Sequence, residues 1–350
     1  MKYSVLCVAV CAALVGGQAH AFTPKVSGTL KAHLKSDNYD GSSTNLATNV
    51  ETKTKQARNH LDGESRLRIS GSQKLNDVLT AAYSLEYNVA LDNDDKTRNF
   101  TSRSTYASLE HKEYGRVRYG RMTSPENDFD MGVAQSSLIG GFLPFSSFGV
   151  RSSNALQYYS PYFGKDKGVR IKLHYGMDEN SEHDTSVRTY INDSRRTIRR
   201  DLAAAQISYS NKTLGLGLNY SQAGNDFNAI AGMVSYKKDR IGAGFVARVA
   251  DFNSGRKESG VLGALSYTLD NSWRTYGQIG YSQNFEGRDI NLTSTAIGIG
   301  KEIKGDKGRA SVFAEVAGEL YKGNQTDRSG NPIRVDDKTY GAAVGLNYRF

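Results

Sequence analysis

Apolar side chains recur at every second position over most of this chain and almost nowhere at helical spacing. The last segment shows it best: Tyr340, Ala342, Val344, Leu346, Tyr348 and Phe350 share one face, opposite Thr339, Gly341, Ala343, Gly345, Asn347 and Arg349. Successive strand residues point to opposite sides of a sheet, so such a segment is apolar on one side and wet on the other. The same parity runs through Leu79, Ala81, Tyr83, Leu85, Tyr87 and Val89, and through Val169, Ile171, Leu173 and Tyr175 against Arg170, Lys172 and His174. Charges on a lipid face would cost about 2–4 kcal/mol each at the bilayer midplane, so Arg170, Lys172 and His174 are expected to face a lumen. Further rows are Leu214–Tyr220, Ile241–Val249 and Val261–Leu269, and several rows end in Tyr or Phe, as an interfacial aromatic girdle requires.

Seven short polar breaks separate these rows, at 74–77, 111–115, 164–168, 210–212, 237–240, 270–272 and 305–308. Between them lie eight longer polar stretches, at about 36–64, 90–101, 122–152, 176–200, 221–228, 250–259, 284–293 and 321–337. Seven turns alternating with eight loops predict an all-β fold of sixteen antiparallel strands, with both termini on the short-turn side. That is the topology of a transmembrane β-barrel with short periplasmic turns and long external loops. A soluble β-sandwich would also bury one strand face, but it has no reason to alternate short and long connections.

The composition agrees: 36 Gly, 21 Tyr and 13 Phe stand against 5 Pro and 1 Trp, with a mean hydropathy of −0.54. The start of the chain, Met1-Lys2-Tyr3, an apolar run from Val5 to Gly17 and then Gln18-Ala19-His20-Ala21, reads as a secretory signal cleaved after Ala21. Residues 22–350 then form one barrel domain without cysteine, since Cys7 and Cys11 both precede that cut.

Several segments resemble the Gram-negative general porins. They are Gly28-Thr29-Leu30-Lys31-Ala32, Ser65-Arg66-Leu67-Arg68-Ile69-Ser70-Gly71, Tyr114-Gly115-Arg116-Val117-Arg118-Tyr119-Gly120-Arg121, Gln157-Tyr158-Tyr159-Ser160-Pro161 and Leu346-Asn347-Tyr348-Arg349-Phe350. The resemblance implies a homotrimeric outer-membrane channel for small hydrophilic solutes, with a third loop folded into the pore and a terminal Phe, here Phe350, as an assembly signal. The apolar stretch Leu138–Val150 inside residues 122–152 supports an inward loop independently, because it would sit poorly in water.

In that family, acids on the third loop face a ladder of basic side chains across the narrowest point. Carried over position by position, Arg66, Arg103 and Arg121 match wall arginines and Asp128 an early loop acid; Lys31 falls near the first-strand lysine, Arg68 shares the face of Arg66, and Glu126 and Asp130 flank Asp128. Two departures stand out: Leu143-Pro144-Phe145-Ser146-Ser147 replaces acids near the loop tip, and Gln157 replaces a wall arginine. A net charge of +9 suggests a weak preference for anions, although the run Arg195-Arg196-Thr197-Ile198-Arg199-Arg200 reads as an external loop facing solvent or lipopolysaccharide phosphates.

Catalysis finds little support. The chain lacks Gly-x-Ser-x-Gly, His-Glu-x-x-His and Gly-x-x-x-x-Gly-Lys motifs. His183-Asp184 are neighbours in a loop, and Asp92-Asn93-Asp94-Asp95 lacks the spaced ligands of a cation loop. Neither a cofactor nor a metal is expected, nor is nucleic acid as a partner. The nearer alternative is a substrate-specific channel with an aromatic track, for which Phe313 is the lone lumen candidate; a structural or adhesive barrel is a more distant one.

Overall fold

The computed structural model describes residues 24–91, 100–129, 144–146, 149–164, 168–177, 187–191, 194–198, 201–253, 255–270, 272–306, 308–327 and 329–350. The expected signal segment, Asp92–Asp95, Asp130 and His183-Asp184 lie outside these residues. In chain order the strands are β1 (Lys25–Asn45), β2 (Glu51–Asp62), β3 (Glu64–Lys74), β4 (Leu79–Ala90), β5 (Phe100–His111), β6 (Gly115–Thr123), β7 (Arg151–Tyr159), β8 (Val169–Gly176), β9 (Val187–Ile191) and β10 (Ser194–Ile198). They continue with β11 (Leu202–Ser210), β12 (Leu214–Ala223), β13 (Phe227–Lys238), β14 (Ile241–Asp251), β15 (Lys257–Thr268), β16 (Trp273–Gln283), β17 (Ile290–Lys304), β18 (Arg309–Thr326) and β19 (Pro332–Arg349).

Only Gly63 parts β2 from β3, and both pair with the same flank of β1, so they make one wall strand. With β9 and β10 forming a separate ribbon, the wall is a closed antiparallel barrel of sixteen strands. It closes where β19 pairs with β1, from Thr29↔Arg349 to Asn45↔Ile333. Closure removes the sheet edges that a lipid environment would not tolerate.

The expected parity governs which side chains meet lipid. Ile279 and Ile297 each leave 64 % of their surface open on the outer face, whereas Val246, Leu262 and Ala296 turn inward and are buried. The short breaks fall where the alternation places them, between β3 and β4, β5 and β6, β7 and β8, and so on around the barrel.

The longer stretches differ in part. Residues 36–64 are mostly strand, with β1 and β2 joined only through 46–50, and β18 and β19 are joined through 327–331. At 21 and 18 residues, β1, β18 and β19 far exceed the 9–11 residues that cross a bilayer, so they continue beyond it as ribbons. These ribbons are polar on both faces, with Lys55 and Asp40 paired at 3.3 Å, and so carry no apolar alternation to announce them. Likewise Arg195 and Arg196 lie on β10, paired with β9, rather than in an irregular loop.

Candidate functional site

The basic wall gathers around Glu86, an inward residue of β4 that is 7 % exposed. Between Leu85↔Thr105 and Tyr87↔Ser102 the register of β5 slips, so that Arg103 and Ser104 stand opposite Glu86 alone. Such a bulge re-aims a side chain. Arg103 Nε reaches Glu86 Oε1 at 2.9 Å, and Arg68 Nε donates to Oε2 at 2.9 Å. A second irregularity, between Gly120↔Ala155 and Met122↔Ser152, turns Arg121 to donate to Ser153 Oγ at 2.7 Å. Arg151, at the start of β7, interacts electrostatically with Arg103, Arg121, Arg66 and Glu86. The sequence reading missed Arg151, because it placed this residue in a loop and the irregularity beside it interrupts the alternation of β7. Arg66 is half-buried on β3, two residues before Arg68, and Lys31 is half-buried on β1, the strand that pairs with β3.

Both described ends of the loop after β6 lie against the inner wall. A 3₁₀ turn, Pro125–Asp128, is held by Gln206 Nε2 on the carbonyl of Pro125 at 2.8 Å and by Gln157 Nε2 on that of Thr123 at 2.9 Å. Gln157, noted in the sequence as a missing wall arginine, is thus a fastening for the loop. On the returning side, Phe145 packs with Val246 and Leu262. Gly260 and Gly280 admit that contact: a Cβ on Gly260 would come within 2.9 Å of Phe145, and one on Gly280 within 2.6 Å of Pro144.

Arg248 of β14 joins the two ends. Its Nε meets Glu126 Oε1 at 3.1 Å, and its Nη1 meets Glu258 Oε1 at 3.0 Å and the carbonyl of Ser146 at 2.7 Å. Glu258 also accepts from Ser146 Oγ at 2.5 Å and from the Glu286 backbone at 2.9 Å. Glu126, expected to face the pore, is therefore a buried anchor. The cause is its place in the 3₁₀ turn, which points its carboxylate at Arg248 and the Gly149 N–H. Asp128 remains partly open and pairs with Lys172 at 2.9 Å.

The other expected lumen residues divide. Arg170 donates to the carbonyl of Ser160 at 3.2 Å, near the short-turn end. His174 points inward but is only 3 % exposed, closed in between Gln157 and Ser152. Phe313 offers no aromatic track: its ring packs edge-on to His33 at 4.9 Å and against Ala296, Ala317 and Ala343. Among the described residues, no group of three His, Cys, Asp or Glu is arranged to hold a metal.

A model of the Gram-negative porin family matches residues 6–324. Among curated proteins, outer membrane porin N of Escherichia coli K12 is 25% identical over 184 residues, 50% of this chain and 46% of that protein. Outer membrane protein Omp-EA of Erwinia amylovora is 27% identical over 197 residues, 52% and 48% of the two chains. The chain thus spans about half the length of the curated relatives it matches. Among solved structures, an anion-selective porin from Comamonas acidovorans superposes with a TM-score of 0.64 at 18% identity, covering 93% of this chain and all of the other. OmpF of Salmonella typhi, in complex with daunomycin, gives 0.65 at 15% identity, covering 94% and 98%. OmpT of Vibrio cholerae in its trimer form gives 0.62 at 16%, covering 94% and 100%.

Proposed function

From the premise that the chain belongs to the Gram-negative porin family, we propose that this outer-membrane barrel is a passive diffusion channel for small hydrophilic solutes and ions that favours anions. The observation that carries the preference is the imbalance on the basic wall: Arg68 and Arg103 share Glu86, and Arg151 interacts with that carboxylate but also with Arg66, Arg103 and Arg121. In a narrow lumen walled by a low-dielectric medium, charge of one sign selects the ions that enter. Of the loop's described acids, Glu126 pairs with Arg248, which Glu258 shares, and Asp128 pairs with Lys172. The fold neighbour from Comamonas acidovorans, an anion-selective porin, supports the same direction. Reversal potentials across a planar bilayer in a potassium chloride gradient test the reading. Permeability to chloride above potassium is expected, and clear cation selectivity would overturn it.

The reading includes a homotrimer in contact with lipopolysaccharide, supported by the trimer form of the Vibrio cholerae neighbour. Three equal conductance steps per insertion are expected in single-channel recording.

A further inference from the structure

At the short-turn end of the lumen five side chains stack in alternation: Tyr106, Arg118, Tyr159, Arg170 and Tyr162. The guanidinium carbon of Arg118 lies 4.6 Å from the ring centre of Tyr106 and 4.4 Å from that of Tyr159. That of Arg170 lies 4.9 Å from Tyr159 and 4.6 Å from Tyr162. Two more cations flank the central ring, Arg116 at 5.3 Å and Lys172 at 5.6 Å. All these residues project inward from β5, β6, β7 and β8, except Tyr162, which lies in the turn between the last two. The register shift beside Gly120 turns Arg121 toward Ser153, and it divides this group from the arginines around Glu86.

Ring faces attract cations, which accounts for part of the assembly. They do not account for four cations on one ring, since Arg118 and Arg170 both repel Arg116. Among the described residues, the acids that pair with this group are Asp128, on Lys172 at 2.9 Å, and Glu110, beside Arg116. Arg116 Nε and Arg118 Nε are also buried without a hydrogen-bond partner. Stacking fixes the planes of two guanidinium groups; Arg118 Nη1 donates to the Tyr159 hydroxyl at 3.3 Å, and Arg170 Nε and Nη1 donate to the Ser160 carbonyl at 3.2 Å and the Tyr162 hydroxyl at 3.3 Å, so the Nη2 groups remain for an oxyanion, which accepts charge-assisted N–H bonds.

We propose that this column is an anion-binding subsite at the short-turn mouth of the pore, which takes a compact doubly charged oxyanion of the phosphate class. It rests on the channel reading and is distinct from the arginines around Glu86. The purified barrel is first recorded in potassium chloride, and inorganic phosphate is then added on one side. A reversible, saturating reduction of chloride current is expected. Arg118→Lys keeps the charge but loses the planar fork, and Tyr159→Leu keeps every charge but removes the central ring; each is expected to weaken the phosphate effect by about tenfold, the equivalent of one charge-assisted hydrogen bond. Arg256→Gln, which breaks a pair with Asp289 at 3.2 Å in the connection between β14 and β15, outside the basic wall, is expected to leave the effect intact. A chloride current insensitive to phosphate, an effect unchanged in both column variants, or an effect lost in Arg256→Gln overturns the proposal. Absence of any current is the failure of the channel reading instead, and calorimetry of phosphate binding to the detergent-solubilised barrel then decides the subsite: no heat, or equal heat in Arg118→Lys, rejects it.

Discussion

Arg248 Nε donates to Glu126 Oε1 at 3.1 Å with both side chains closed to water. With Glu258 on its other edge, this guanidinium ties the outgoing and returning arms of the inner loop to β14 and β15. Removing one member of a buried charge pair costs about 3–5 kcal/mol, because the partner is left desolvated and alone. Arg248→Ala leaves two such carboxylates. The expected outcome is a barrel that still forms, with a lower unfolding temperature and a larger, noisier single-channel conductance as the loop leaves the wall. Conductance equal to that of the unaltered protein would show that the apolar contacts of Phe145 hold the loop unaided.

Glu86 is the counterweight to the basic wall, bonded to both Arg68 and Arg103. Glu86→Gln preserves the side-chain shape and removes its charge. An ion pair in contact with water is worth up to about 1 kcal/mol, so selectivity for chloride over potassium is expected to rise by up to about fivefold. The reversal potential reads this directly, and a shift toward cations would contradict the role given to the wall.

Most of the barrel could be read from the chain because lipid imposes a period of two on every spanning strand. Tyr340 through Phe350 and Leu79 through Val89 carry that period without interruption, and the structure keeps their parity. The ribbons formed by the outer parts of β1, β2, β18 and β19 could not be read this way, since water on both faces imposes no pattern. The site was legible only in part for a related reason. Arg68 and Arg103 meet at Glu86 and Arg121 meets Ser153, but the bulges that aim Arg103 and Arg121 beside Arg151 depend on pairing between strands. The burial of Glu126 depends on Arg248, which lies 122 positions away. No local signal in the sequence joins those two.

In the turn between β18 and β19, the Asp327 carboxylate accepts from the backbone N–H of Asn331 and of Ser329, each at 2.8 Å, and from Asn331 Nδ2 at 3.1 Å. These bonds, chiefly those from Asn331, favour the ionised form and hold its pKa below the ordinary carboxylate value. The ordering of the turn is therefore fully present above that ordinary value and is lost as pH falls through the lower one of the folded protein. Hydrogen exchange at the Ser329 and Asn331 amides is expected to stay slow down to the ordinary Asp range and to quicken only below it. Asp327→Ala should exchange quickly at every pH.

The seam of the barrel also has a chemical lock. Gly28 N–H donates to the carbonyl of Phe350 at 3.0 Å, and Phe350 N–H returns a bond to Gly28 at 3.2 Å. Backbone and ring approach so closely here that a Cβ at position 28 would fall 2.5 Å from the carbonyl oxygen of Arg66 and 2.8 Å from the Phe350 ring. The carbonyl cannot move without breaking the pairing of β1 with β3, so Gly28→Val is expected to block closure both in detergent refolding and in cells. Phe350→Ala acts differently: it deletes a ring that stacks on Tyr348 at 6.2 Å but keeps both backbone bonds. If the ring serves recognition during assembly, this variant refolds in detergent like the unaltered protein, yet reaches the outer membrane in reduced amount. Comparing heat-modifiable gel mobility after refolding with the amount in isolated outer membranes separates the two roles. Equal loss in both would make Phe350 a packing residue of the seam alone.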